Sequence, residues 1–192
     1  MTNMKKILKV FTLSLAMALI APAVMQAQLF DEGDIVVSFG LGLGSTYYPL
    51  GTGYKTTIPP LFVAGDYCLR EDLGPGNLGV GGYMAFSGYK YDYPIYDWNI
   101  KYSTFIIGAR GTYHFTDLVD KLDLYGGLLL GVEIVSHKDN IPDNDVFDDY
   151  NSGGLAYSLF AGARYYLSDN FAVMGELGYG IAVLSLGVSL KL

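Results

Sequence analysis

The sequence predicts an all-β chain: an eight-stranded antiparallel up-and-down transmembrane β-barrel. Three observations predict it. Apolar and polar residues alternate with period two through most of the chain. Glycine is abundant, 25 of 192 residues, and lies inside the apolar segments, where it disfavours helices. Mean hydropathy is high at +0.29, yet past the first segment no run of about 18 apolar residues could cross a membrane as a helix. Apolar character without a helical span points to strands that face lipid.

Taken in order, the first element is an export signal over residues 1–27. MTNMKKILK supplies a basic start, VFTLSLAMALI an apolar stretch too short to span, and APAVMQA a small-residue end. Cleavage after Ala23 or Ala27 fits, and Ala27 is preferred. Residues 28–192 then form one barrel domain. Eight strands are expected at 34–47, 60–70, 78–92, 102–115, 122–136, 153–167, 171–179 and 182–192. The segments 71–77, 116–121 and 168–170 are short, whereas 49–59, 92–100 and 137–152 are longer. The last connection, near Gly180–Ile181, breaks this pattern by being tight. Short turns at one end and long loops at the other fit a membrane barrel.

Sorting each strand by parity separates the charges from the bulk. In FIIGARGTYHF, Phe105, Ile107, Ala109, Gly111, Tyr113 and Phe115 share one face, and Ile106, Gly108, Arg110, Thr112 and His114 share the other. LFAGARYYL repeats the pattern, with Arg164 beside Gly162 and Tyr166. Asp66 and Glu176 fall on the corresponding faces of their strands. The charged face is mostly Gly, Ser and Thr, too sparse for a solvated exterior. A lipid-facing arginine at mid-membrane would cost about 2–4 kcal/mol, so these side chains turn inward. An eight-stranded interior is just wide enough to be filled by side chains. Asp66, Arg110, Arg164 and Glu176 lie at similar depths from the short-turn end. They are expected to form a cross-lumen charge cluster, with Arg164 and Glu176 near-diagonal neighbours in one hairpin.

Charge and composition exclude several functions. Removing the signal with Lys5, Lys6 and Lys9 takes the formal charge from −7 to −10, which disfavours nucleic acid as a partner. Cys68 is the one cysteine and has no internal disulfide partner; a small buried or lumen-facing role is expected. Glu133, Ser136 and His137 resemble catalytic residue types, but Ser136 and His137 point to opposite faces of a continuing strand. The acid-rich run DNIPDNDVFDD (139–149) lacks the register and central glycine of an EF-hand. It reads as a solvated loop, with adventitious calcium contact the alternative. Tyr89, Tyr91, Tyr93, Tyr96 and Trp98 cluster in GYKYDYPIYDWNIKY. They are either loop packing with an interfacial girdle or a surface that binds sugars or proteins. Girdle aromatics are expected at Tyr47, Tyr48, Tyr102 and Tyr157 on the long-loop rim, and at Tyr113, Phe115, Tyr165 and Phe171 on the other.

The closing segment GARYYLSDNFAVMGELGYGIAVLSLGVSLKL carries a family resemblance. Its Gly162-Ala163-Arg164, Ser168-Asp169-Asn170, Glu176 to Gly180 and alternating Leu186 to Leu192 resemble small eight-stranded outer-membrane barrels, the porin-family or OmpX-like β-barrel domain. The sequence departs from that pattern at Leu192, where such barrels commonly carry an aromatic residue. The resemblance implies insertion in a Gram-negative cell outer membrane, loops outside the cell, and usually no catalysis. The barrel assembly machinery and outer-membrane lipid are then the expected partners.

These readings combine into a monomeric, non-enzymatic outer-membrane barrel with a charge-plugged lumen. Its expected role is structural or surface-interacting, with an extracellular protein or glycan as a possible partner and no cofactor or metal. A narrow porin-like channel or transporter of small solutes is the alternative, and a lipid A-modifying barrel enzyme comes after it.

Overall fold

The computed structural model describes residues 29–47, 53–93, 99–139 and 151–192. Eight strands run through them: β1 (Ile35–Leu43), β2 (Tyr54–Arg70), β3 (Asn77–Asp92), β4 (Asn99–Val119), β5 (Leu122–Asp139), β6 (Asn151–Ser168), β7 (Phe171–Gly178) and β8 (Leu184–Lys191). All pairings are antiparallel between sequence neighbours, and β1 also pairs with β8, so the sheet closes on itself. At that seam Ser38 faces Ser189, and their hydroxyls share a hydrogen bond of 2.8 Å inside the ring. The signal segment expected over 1–27 lies outside the described residues.

Short connections join β2 to β3, β4 to β5 and β6 to β7. The β4–β5 hairpin turns through Asp120 and Lys121, with Lys121 in the left-handed region at φ 63°. The connection between β7 and β8 runs over residues 179–183, five residues rather than the tight turn expected. It is held from the side: Thr46 N donates to Gly180 O at 3.0 Å, and Gly180 N donates to Thr46 Oγ1 at 3.0 Å. Gly44, at φ 67°, turns the chain toward it, which is why β1 stops at Leu43 rather than residue 47.

Strands β2, β4, β5 and β6 run longer than the alternation suggested. Their hairpins keep pairing after the apolar pattern stops, because backbone hydrogen bonding is indifferent to side-chain polarity. Tyr54 still faces Tyr91, and Ile100 faces Asp139. Pro59 and Pro60 lie within β2, where neither can donate to a ladder. The register shift between Ile58 and Leu61 accommodates them. β7, β8 and β1 are much shorter, so the β2–β6 wall rises above them at the long-loop end.

The two faces of the wall invert the polarity of a soluble barrel. Outside, Phe105, Ile107, Leu128, Leu130, Val132, Leu155 and Leu159 are exposed, Leu159 by 67%. Inside, Arg164, Asp66, Asp123 and His114 are fully buried at 0%. A soluble monomer rarely exposes a contiguous apolar patch above a few hundred Å². Here the apolar surface recurs on every strand.

Candidate functional site

The interior charges meet across the lumen through a specific register. Asp66 on β2 pairs with Gly81 on β3, and Gly81 pairs with Arg110 on β4. Gly81 has no side chain, so the two charges close over it, with Arg110 Nε 3.0 Å from Asp66 Oδ1. A Cβ at Gly81 would run into the carbonyl of Gly65. Arg110 Nη2 also donates to Glu176 Oε1 at 3.1 Å, across the ring from β7. Arg164 donates through Nη2 to Asp66 Oδ2 and through Nη1 to Asp123 Oδ2 at 3.3 Å. Aromatic faces cover both cations: the Arg110 guanidinium carbon sits 4.3 Å from the Phe160 ring centroid, and that of Arg164 sits 4.5 Å from Tyr125.

The structure therefore brings Asp66, Arg110, Arg164 and Glu176 together. Arg164 and Glu176 are the diagonal neighbours expected in the β6–β7 hairpin, but they do not pair with each other. Glu176 pairs with Arg110 and not with its hairpin neighbour Arg164. Glu176 faces Gly162 and Arg164 faces Met174, one inward row nearer the short turns. Arg164 there lies directly opposite Asp123 on β5, the nearer carboxylate. Gly162 keeps the space between Tyr125 and Glu176 open, since a Cβ there would come within 2.7 Å of Glu176 Cγ.

Two members went unassigned in the sequence reading. Asp123 bridges Arg164 to His114, whose Nδ1 lies 2.8 Å from Asp123 Oδ1 and whose Nε2 lies 2.9 Å from Thr112 Oγ1. Parity puts Asp123 and His114 on the inward face of one short hairpin, and that is the signal the sequence offers for them. The segment ahead of β1 was also unread. Phe30 turns inside the short-turn mouth and stacks on the His114 ring at 3.9 Å. Asn77 Nδ2 donates to Phe30 O at 2.6 Å, and Leu29 packs on Tyr166 and Ala172. Cys68 is buried beside Phe30 and Val36, as a small inward residue. Stacked rings and salt bridges link Phe30 and His114 near the short turns to Arg164, Asp66, Arg110 and Glu176. A cavity of about 40 Å³ follows on the long-loop side, lined by Tyr47, Tyr83, Ile106, Phe160, Ile181 and the Arg110–Glu176 pair.

Of the aromatic cluster, Tyr89, Tyr91 and Tyr93 lie among the described residues. Tyr89 is buried at 3% and cannot serve an exposed surface, because its parity on β3 is that of the inward residues Ala85 and Ser87. Tyr91 shares that inward side, and its ring lies 5.2 Å from Tyr54 and 5.1 Å from Tyr93. Tyr54 continues to Tyr102 at 5.7 Å, and Tyr102 to His137 at 4.9 Å. These rings line the inner side of the raised wall. Tyr47 and Tyr102, expected in a lipid-facing girdle, are therefore inward and half-buried. Tyr157 does face outward and stacks on Tyr179 at 5.7 Å. Tyr48, Tyr96, Trp98 and most of the acidic run 139–149 lie outside the described residues.

Glu133 and His137 fall on the inward side and Ser136 on the outward side, so the geometry assembles no nucleophile–base pair from them. Among the described residues no group of three or more His, Cys, Asp or Glu could hold a metal ion.

No family model and no curated protein matches the chain. Solved structures do match. Ail, the attachment invasion locus protein of Yersinia pestis, has a TM-score of 0.53 at 15% identity, over 84% of this chain and 99% of that one. It has also been crystallised with the heparin analogue sucrose octasulfate. The outer membrane protein OprG of Pseudomonas aeruginosa has a TM-score of 0.51 at 14% identity, over 85% of this chain and 97% of that one. At these identities the likeness is one of fold: the chain is an all-β antiparallel structure resembling outer-membrane β-barrels, with a buried, salt-bridged charge cluster inside.

Proposed function

We propose that this protein is an integral β-barrel of a Gram-negative outer membrane, formed by residues 28–192 after removal of the segment 1–27. Its role is structural or surface-interacting, without catalysis. One observation carries the reading, the inverted polarity of the wall: exposed leucines outside and paired charges inside. In water that arrangement would leave a belt of apolar surface unburied; in a bilayer the same belt meets acyl chains. Inside, Arg110 and Arg164 with their three carboxylates close the lumen. Outer-membrane lipid and the barrel assembly machinery are the partners this implies, and the working form is a monomer. The inward tyrosines at the long-loop mouth suit an extracellular protein or glycan.

The test compares gel mobility of heated and unheated protein refolded in detergent, alongside membrane fractionation. A heat-dependent shift with recovery in the outer-membrane fraction is the expected result. A protein that stays soluble and folded without detergent would overturn the reading. The narrow channel is the second reading, favoured by the cavity beside Arg110 and Glu176; single-channel recording decides it.

A further inference from the structure

Four lysines stand in direct register across four adjacent strands. Lys55 on β2 faces Lys90 on β3, Lys90 faces Lys101 on β4, and Lys101 faces Lys138 on β5. At about 4.8 Å between strands, the row spans roughly 14 Å. Like charges directly opposite one another are destabilising in a sheet. Asp92 lies 2.8 Å from both Lys55 and Lys90, at one end of the row. This basic row belongs to a chain whose overall charge is −7.

Its position follows from the register. Phe86, Phe105 and Ile134 form one outward apolar row. The next row toward the long loops is Gly88, Ser103 and Ser136, and the lysines come next. The four residues from Phe105 to Lys101, on a strand tilted by about 40°, place the lysine backbones roughly 10 Å beyond the apolar edge. The headgroup layer is about 5–8 Å thick on each side of a bilayer. Lysine stems lie along apolar surface and let the amines reach back into that layer.

We propose that Lys55, Lys90, Lys101 and Lys138 form a binding row for phosphate-bearing lipid headgroups in the leaflet at the long-loop end. The inference rests on the membrane reading above. Lipid is favoured over a soluble polyanion by direction. The lysines face outward with the apolar belt, whereas a ligand held at the mouth would meet the inward rings of Tyr54, Tyr91 and Tyr102.

The test uses the mature protein refolded in phosphatidylcholine bilayers containing spin-labelled phosphatidic acid or spin-labelled phosphatidylcholine. Motionally restricted lipid at the barrel surface gives the relative association of each headgroup. At low salt the native protein should prefer the anionic lipid, by up to about fivefold for each lysine that reaches the phosphates. The variant Lys55→Gln/Lys90→Gln/Lys101→Gln/Lys138→Gln should lose most of that preference, and the double variant Lys101→Gln/Lys138→Gln about half of it on a logarithmic scale. Lys121→Gln, at the short-turn end, should keep it. Restricted lipid without headgroup preference, or a preference that survives the substitutions or falls equally in Lys121→Gln, overturns the proposal and leaves the membrane barrel standing. Restriction of neither lipid removes the membrane reading and the proposal with it.

Discussion

Arg164 is the residue on which the interior depends most. It is fully buried and holds two carboxylates, Asp66 and Asp123, from opposite sides of the lumen. A buried ion pair adds little to stability over a well-packed apolar replacement, but removing one partner strands the others. Arg164→Met should therefore destabilise the folded barrel by about 3–5 kcal/mol, measured by urea unfolding in lipid. A loss below about 1 kcal/mol would show that the network does not hold the interior. Arg164→Lys should not rescue it fully, because a single ammonium cannot fork between two carboxylates while stacking on Tyr125. Parity alone placed Arg164 inside. Its choice of Asp123 over Glu176 was not legible, because the long β5–β6 connection leaves the register between those strands unspecified.

On the scale of a strand, β6 carries the alternation most clearly. Leu155, Tyr157 and Leu159 point out, whereas Ala156 and Phe160 point in. Leu159→Arg should cost about 2–4 kcal/mol in a bilayer and reduce recovery of heat-modifiable protein. Ser158→Arg, one residue away and turned toward the cavity, should cost less, since Glu176 lines the same cavity. Equal effects in lipid-based unfolding would mean that β6 does not separate lipid from lumen. Strand positions were legible because one face is buried and the period is two. Strand ends were not, because β2 and β4 continue on backbone pairing where side chains no longer alternate. The inward turn of Tyr89 follows from the same rule. Parity groups it with Tyr91 and Tyr93, and the β3–β4 register turns Tyr89 and Tyr91 to the inner side.

For the molecule as a whole, closure sets what can pass. Eight strands leave an interior that side chains can fill, and Phe30 narrows the short-turn mouth further. Native protein in planar bilayers should show no discrete conductance. Arg110→Ser/Glu176→Ser removes the upper pair and joins its volume to the cavity of about 40 Å³ above it. Brief openings are expected in that variant, and adding Phe30→Ala should lengthen them. A native protein that conducts as readily as the variants would favour the channel over the plug.

Composition and period were enough to determine an all-β chain, which side of each strand meets the interior, and that the charges belong inside. Those properties are local: a pleated strand has two faces, and a charge has a large free-energy preference between them. The tertiary structure decided which charges touch, that Asp123 and His114 extend the network, that Phe30 enters the mouth, and that four lysines align in one row. Each depends on strand register and stagger around the ring, which place residues far apart in the chain within a few ångströms. No local pattern encodes that stagger. It follows from closing all eight strands at once.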